Sequence, residues 1–587
     1  MTSPSTQKIF DEAVQRQIRR EFPQAEALYL KVLDQDPQHA AAMHWLGVIA
    51  GETGRPTEAL DWIRRAIAVN PNDADCHYNL GMVLSGLRQH AAAISAFEEA
   101  VKLRPDFPDA WTSLATAHRR TENYDQAIAA VKSALHYQPN LARAHNNLAS
   151  YYRALGRADE ALACYDRGIA IEPNYPAIAS NRLFLLSFHP DFDSQAVLRE
   201  SRAWNNRFAT PLAGTIQPHA NDRSPERRLR IGFVSPDFRT HCQTLFTLPL
   251  FSQHDRANFE FHCYADVPQP DGLTEQIRRQ VEVWRNTAAM NDQTVADTIR
   301  ADRVDILIDL TMHMAGGRPL LFAQRAAPIQ IAWLAYPGTT GISAIDYRLT
   351  DPYLDPPGKY DADYSERSIR MDNTFWCYDP LASSPAVNPL PALDRGHITF
   401  GCLNSFAKVT SATLRLWSRI LQATSDSRLI MLCPPGEHRR QVVETLAVDP
   451  SRIRFVPMQS RPDYLNTYHE IDLALDTLPY NGHTTSLDAF WMGVPVITLV
   501  GRTVVGRAGW SQLNNLNLKE LAAFNEEDFV RLALGLSRDL PRLADLRAGL
   551  RRRMEQSPLM DAPRFARGME RVFRRIWREY CQTQATA

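Results

Sequence analysis

The side chains best suited to chemistry crowd into one stretch, Asp476-Thr-Leu-Pro-Tyr-Asn-Gly-His-Thr-Thr-Ser-Leu-Asp488. An alternating apolar run, Ile471-Asp-Leu-Ala-Leu475, precedes it and reads as a strand. Leu487-Asp-Ala-Phe-Trp-Met-Gly493, with Pro495 beyond, reads as an amphipathic helix stopped by a glycine. Residues 481–485 therefore occupy a strand-to-helix turn. The N–H groups of a helix start have no intrahelical acceptor, and the helix dipole favours negative charge there. With the His483 imidazole and the Thr484 and Thr485 hydroxyls added, the turn suits a phosphate. The same residues would equally make an ordinary helix with Thr as its N-cap. The stretch alone leaves both readings open.

The elements that must position this turn belong to a long chain. Its 587 residues allow three or four domains, at about 150 residues each. A hydrophobic content of 44% fills ordinary cores, and a net charge of −1 argues against nucleic acid or a membrane surface as the main partner. The eight cysteines form no C-x-x-C pair, which fits a reducing compartment. The N-terminus is polar, and no run of about 18 apolar residues occurs, so nothing spans a bilayer. The expectation is a cytoplasmic protein.

The N-terminal third repeats. Prolines fall at Pro37, Pro71, Pro105, Pro139 and Pro173, each 34 residues after the last. Ala25, Ala59, Ala93, Ala127 and Ala161 keep the same phase, followed by Tyr29, Ile63, Phe97, Val131 and Tyr165. A 34-residue period with small residues where two helices touch is the tetratricopeptide signature, an α-solenoid of stacked helix pairs. One position on the first helix of successive units carries Asn79, Asn147 and Asn181, interrupted by Trp45 and Ser113. Asparagine offers donor and acceptor together and can clamp a peptide backbone without reading its sequence. Plain solvated helix positions are the alternative.

Beyond residue 228 the chain alternates strands with helices, which implies parallel sheets. Strands are expected at 229–235, 259–264, 304–310 and 328–334, and helices up to Phe251, at 272–283 and at 292–301. A Pro-, Asp- and Ser-rich passage, 352–396, leads to a second half with strands at 397–403, 428–432, 453–456, 471–475 and 494–499. Ligands of open α/β sheets bind beyond the carboxyl ends of the strands, where every suspicious turn lies.

Four segments carry a resemblance: Leu229-Arg-Ile-Gly-Phe-Val-Ser-Pro-Asp-Phe238, Pro328-Ile-Gln-Ile-Ala-Trp-Leu-Ala-Tyr-Pro-Gly-Thr-Thr-Gly341, Cys402-Leu-Asn-Ser-Phe-Ala-Lys408 and Leu475-Asp-Thr-Leu-Pro-Tyr-Asn-Gly-His-Thr-Thr485. Together, and with the repeats, the chain resembles the O-linked N-acetylglucosamine transferase family, glycosyltransferase family 41. The resemblance implies a tetratricopeptide solenoid followed by two Rossmann-like α/β halves of the GT-B type. The expected limits are 6–190 for the solenoid, 191–228 for a linking helix and loop, 229–385 and 396–560 for the two halves, and 561–587 for a C-terminal helix whose Trp577 and Tyr580 pack back onto the body. It also implies inverting, metal-independent transfer of N-acetylglucosamine from UDP-N-acetylglucosamine to Ser or Thr of proteins held along the repeat groove.

Residue by residue, the resemblance places Lys408, His483, Thr484 and Thr485 on the diphosphate, Asp488 on the ribose, Tyr464 against the base, and Tyr336, Thr339 and Thr340 on the donor-sugar side. Lys408 suits that role on its own chemistry, because charge builds on the leaving diphosphate. His241, Asp309 and His313 are the catalytic candidates. His241 and Asp309 rank equally as the group that takes the acceptor proton. Met312 and Met314 depart from the family's Asp-Leu-x-Gly-His-Thr and put the local backbone in question. Arg502 and Arg507 could add positive charge to the phosphates or sit in a solvated loop. No Asp-x-Asp follows an apolar strand, so no cofactor and no metal are expected. The rivals are the same fold with another donor such as GDP-fucose, and a non-catalytic repeat scaffold.

Overall fold

Small residues set the helix spacing of the repeats. A Cβ on Gly47 would lie 2.5 Å from Ile63 Cγ1, and one on Gly81 2.5 Å from the Phe97 ring. Ala25, Ala59, Ala93, Ala127 and Ala161 are fully buried, and Tyr29, Ile63, Phe97, Val131 and Tyr165 fill the space beside them. The computed structural model describes residues 3–381 and 384–583. Helices run in pairs from Pro4–Ile18 and Phe22–Gln35 to Ala142–Ala154 and Ala158–Ile171, and Pro176–Leu186 follows alone. The chain divides into two compact units, one dominated by residues up to Tyr151 and one containing nearly all the rest. The last repeat helices thus belong to the same unit as the α/β body.

In that second unit, Leu229–Ser235 (β1), Phe259–Ala265 (β2), Val283–Asn286 (β3), Ile306–Asp309 (β4), Ile329–Ala332 (β5), Tyr347–Thr350 (β6) and Arg367–Arg370 (β7) form one parallel sheet in the order β3-β2-β1-β4-β5-β6-β7. Thr399–Cys402 (β8), Arg428–Leu432 (β9), Ile453–Val456 (β10), Leu473–Leu475 (β11), Val496–Leu499 (β12) and Ala522–Ala523 (β13) form the other, in the order β10-β9-β8-β11-β12-β13. Central strands such as Ile306-Leu-Ile-Asp309 are wholly buried, as parallel strands covered on both faces must be. Four strands depart from the sequence reading, among them the short β13 (Ala522–Ala523). The helix expected over 272–283 ends at Arg278 and yields to β3, while β6 and β7 lie at and beyond the start of the polar passage.

A buried ion cluster ties the halves together. Asp355 lies after β6 and accepts from Arg348 Nη1 (2.9 Å), Thr350 Oγ1 (2.7 Å) and Tyr364 Oη (2.6 Å) of the first half, and from Arg507 Nη2 (2.9 Å) of the second. Arg507 also donates to the Leu354 carbonyl, so it is a strut between the halves and leaves the phosphate turn to other cations. Ser511 Oγ donates to Asp351 Oδ2 at 2.7 Å along the same seam. The C-terminal helix Ala562–Thr583 returns to the first half, where Trp577 is buried and donates to the Ser224 carbonyl at 3.2 Å. Tyr580 stacks on Trp577.

The arginines hold the Asp355 carboxyl below its ordinary range against the opposing effect of burial. Its stabilising contribution is therefore present above the unfolded-state value near 4 and lost as pH falls through the depressed folded value. Asp355→Asn leaves two guanidinium groups uncompensated, and we expect it to cost the α/β body about 3–5 kcal/mol. Urea unfolding followed by Trp fluorescence reads this, and a loss below about 1 kcal/mol would refute the strut.

Candidate active site

The turn after β11 is shaped by Asp476. Its buried carboxylate accepts from Thr477 N (2.8 Å), Gly482 N (2.6 Å) and Thr498 Oγ1 (2.6 Å), curling residues 477–482 back on the strand end. The Leu478–Pro479 bond is cis, and the Leu478 carbonyl accepts from the hydroxyls of Thr410 (3.0 Å) and Thr413 (3.1 Å). A Cβ on Gly482 would lie 2.2 Å from Ser486 Oγ, so a larger residue would have to displace the Ser486 side chain. The chain then enters the helix Thr484–Trp491 with His483, not a threonine, as N-cap, and the His483 side chain makes no capping bond. Thr484 is the first helical residue. The reading in which hydroxyls cap the empty turn is corrected. The first intrahelical acceptor serves Leu487 N, so the N–H groups of Thr484, Thr485 and Ser486 stand open at the positive end of the dipole.

Lys408 closes the short 3₁₀ turn Phe406–Lys408 after β8. Its Nζ donates to the Asn481 carbonyl at 2.8 Å and lies 3.9 Å from the Tyr480 ring centroid. Burial pulls its proton affinity down to about 8, with the Asp476 carboxylate opposing. Burial and the neighbouring Lys408 charge hold His483 neutral, its Nε2 3.3 Å from the Val505 carbonyl, and its ring packs on Tyr480 and Trp376. A cation and open N–H groups thus converge on the turn between Tyr480 and Thr485.

Asp488 and Tyr464 sit one layer deeper. The buried Asp488 carboxylate accepts from Tyr378 Oη (2.6 Å), Arg461 Nη2 (2.9 Å) and Tyr464 Oη (3.1 Å). Asp488 is thereby a hub that binds three side chains within the protein. Tyr464 also bonds the Tyr468 hydroxyl at 2.9 Å, and its ring is half-buried.

From the first half, the turn after β1 brings His241 and Cys242 to the cleft. The Cys242 thiol and the Lys408 ammonium shift each other's proton affinity, so the turns after β1 and β8 lie near one another. His241 is about 29% exposed, with Nδ1 3.5 Å from Asp237 Oδ2 and 3.3 Å from Gln243 N. Burial works against its charge, yet Cys242 and Asp237 outweigh it and raise the imidazole above its ordinary value. Asp309 is 1% exposed. Its Oδ1 accepts from Thr311 N (2.9 Å) and Met312 N (2.8 Å), Oδ2 has no partner, and burial raises the carboxyl to about 6. Met312 takes φ +52°, the left-handed backbone that glycine adopts most easily, and still completes the turn.

His313, Thr339 and Thr340 do not join the cleft. His313 is buried and depressed to about 4 by that burial. Its Nε2 donates to the Thr340 carbonyl at 2.7 Å, and its Nδ1 lies 3.1 Å from Ser180 Oγ on the last repeat helix. Both nitrogens are engaged, which corrects its place among the proton-transfer candidates. Glu366 accepts from Thr339 Oγ1 at 2.7 Å, from Thr340 N at 2.6 Å and from the Thr340 hydroxyl, so those hydroxyls serve a buried carboxylate and not a sugar. Tyr336 is buried against Phe184. In the repeats, Asn79 Nδ2 is 2.7 Å from His44 Nε2, and Asn147 and Asn181 are half-buried. Sequence reasoning assigned no role to Asp476, Tyr378, Arg461, Glu366 or Cys242. Only Asp476, a carboxylate at a strand end, carried a usable signal.

Two parallel α/β halves that face a cation-lined cleft with the carboxyl ends of their strands define a GT-B glycosyltransferase body. The glycosyl transferase family 41 model matches residues 214–387 and 390–569, and tetratricopeptide models match within 17–176. This chain belongs to glycosyl transferase family 41. It is 37% identical over 412 residues to the probable UDP-N-acetylglucosamine–peptide N-acetylglucosaminyltransferase SPINDLY of Petunia hybrida, covering 68% of this chain and 44% of that one. It is 31% identical over 371 residues to the probable UDP-N-acetylglucosamine–peptide N-acetylglucosaminyltransferase SEC of Arabidopsis thaliana, covering 61% and 38%. The chain thus spans less than half the length of the curated relatives it matches. A mutant O-GlcNAc transferase of Thermobaculum terrenum superposes with TM-score 0.82 at 33% identity, over 87% of this chain and 98% of that one.

Because both His313 nitrogens are bonded in the interior, His313→Ala strands the Thr340 carbonyl and the Ser180 hydroxyl. We expect a stability loss of about 1–3 kcal/mol, by calorimetry, with pyrophosphate affinity unchanged. A selective loss of pyrophosphate binding at full stability would return His313 to the cleft.

Proposed function

We propose that this protein transfers N-acetylglucosamine from UDP-N-acetylglucosamine to Ser or Thr hydroxyls of polypeptides, in the cytoplasm, with peptides presented along the repeat groove by Asn79, Asn147 and Asn181. Eight free cysteines among the described residues fit a reducing compartment. The observation that carries the reading is the uncapped start of helix Thr484–Trp491 beside the Lys408 ammonium. The names of the family relatives and the Thermobaculum neighbour supply the donor and acceptor classes. The cation and the N–H groups of Thr484, Thr485 and Ser486 receive the diphosphate as the glycosidic bond breaks. The Tyr464 ring takes the base, and Asp488 positions it through the Tyr464 hydroxyl and Arg461.

His241 is the proposed base. Its imidazole is part-exposed at the cleft beside Asp237, whereas Asp309 is sealed. The acceptor oxygen gives its proton to the neutral imidazole and bonds the anomeric carbon. The bond from that carbon to the diphosphate oxygen breaks on the opposite face, and UDP leaves. Asp309 shapes its turn without touching the substrate.

Lys408→Met is expected to lower kcat about 10²–10³-fold in transfer of labelled N-acetylglucosamine to a protein acceptor, with thermal stability retained. Unchanged transfer would refute the assignment, and stabilisation by GDP-fucose but not UDP-N-acetylglucosamine would replace the donor. The proton on Lys408 sets a second outcome. UDP affinity, by isothermal titration, should weaken as pH rises through about 8, and Lys408→Arg should flatten that dependence. The His241 base predicts an acid limb of kcat/KM above the ordinary histidine value near 6.5. That limb should vanish in His241→Asn and persist in Asp309→Asn.

A further inference from the structure

We infer that the N-terminal repeats hold a transition-metal site, of the kind that takes Zn2+, built by His44, Asp73 and Cys76. One ligand atom from each of the three lies within 4.8 Å of the others. They come from two successive repeats. His44 is on helix Ala40–Glu52, and Asp73 and Cys76 begin helix Ala74–Gly86. Imidazole, carboxylate and thiolate together suit Zn2+ and exclude the all-oxygen preference of Ca2+ or Mg2+. With bonds of about 2.0–2.3 Å, tetrahedral ligands sit about 3.5 Å apart, so side-chain rotation of about 1 Å closes the site.

The repeat supplies its own control. The places one repeat before Cys76 and one and two repeats after it hold Ala42, Ala110 and Ala144, and the matching places for His44 hold Phe10, Tyr78 and Thr112. His39, Phe107 and Leu141 stand where Asp73 does. Helix packing in this solenoid therefore needs no thiol at the first place, no imidazole at the second and no carboxylate at the third, and the three donors occur together in one place. Asp73 Oδ1 caps Asp75 N (2.9 Å) and Cys76 N (3.2 Å), which holds the carboxylate still and leaves Oδ2 for an ion. Asn79 is one turn beyond Cys76, its amide 2.7 Å from His44 Nε2. A bound ion would cross-link the first helices of two neighbouring repeats beside Asn79.

The test uses the full chain, stripped of metal by chelator and titrated with Co2+. The expected result is a thiolate-to-cobalt charge-transfer band with tetrahedral visible bands, saturating at one ion per chain. Zn2+ should bleach these bands, and Zn2+ should raise the melting temperature of the N-terminal repeats. Cys76→Ala places there the residue its neighbouring repeats carry, so it keeps the fold, and it should abolish the band. His44→Ala should weaken binding at least tenfold, and Cys242→Ser should leave the band intact. A missing band in the wild type, a band that survives Cys76→Ala, or one that disappears with Cys242→Ser would each overturn the site.

Discussion

A carboxylate buried between arginines of two different halves is the constraint on which the cleft depends. Asp355 is inaccessible to water, as are Arg348 and most of Arg507. Removing such charges from water is costly unless every partner is in place. The cluster can therefore be satisfied only when β6, the segment after it and the turn before the helix Ala508–Asn515 meet in one geometry. Tyr364 and Tyr360 lie under the guanidinium groups of Arg348 and Arg507, at 3.6 and 4.0 Å, and narrow the choice further. The C-terminal helix adds a second tie by crossing back to the first half. With the halves so fixed, the turns after β1 and β8 face each other without a separate ordering step.

Within the second half, two carboxylates divide the work of the loop. Asp476 takes up the N–H groups of Thr477 and Gly482, which would otherwise compete for whatever the turn binds. Its burial raises its proton affinity, opposed by Thr498 and the two N–H groups, and Lys408 lies near enough to feel its charge. Asp488 neutralises Arg461 in the interior, so the cation aimed outward is Lys408. An uncapped helix start costs about 1 kcal/mol of helix stability. Here the deficit is local, because the loop is held by Asp476 and by the Thr410 and Thr413 hydroxyls instead of by a cap. The open N–H groups are then preorganised toward negative charge.

Much of this was legible in the sequence, for identifiable reasons. The solenoid declared itself because a 34-residue period survives five units, and the central strands because β1, β4 and β9 are continuous apolar runs. β3 was hidden because Val283-Trp-Arg-Asn286 has no alternation, and β7 because an edge strand reading Arg367-Ser-Ile-Arg370 looks like a loop. In the site, the sequence pattern put Lys408, His483 and His241 on turns beyond strand ends, and the structure has each of them on such a turn. What pattern could not give was side-chain direction. Thr339 and Thr340 turn to Glu366, 27 and 26 residues on, and Asp488 to Tyr378, 110 residues back. His313 turns to Ser180, 133 residues back in a different structural layer. Partners so distant leave no local spacing to read.

The choice between His241 and Asp309 shows how access outranks proton affinity. Asp309 has the feature usually sought in a general base, a carboxyl raised toward neutrality with one oxygen unpartnered. The cause of that shift is burial, and the same burial keeps an acceptor hydroxyl away. Its other oxygen is held by two N–H groups that form the turn around Met312, so the carboxylate cannot swing out without unmaking a left-handed backbone turn. His241 is raised for the opposite reason. Its shift survives partial burial because Cys242 and Asp237 support the charged ring at the cleft face. A group whose proton affinity is set by partners at an open surface can exchange its proton with a substrate, whereas one set by enclosure cannot. On that ground the proposed base is His241 of the β1 turn and not Asp309 of the β4 turn.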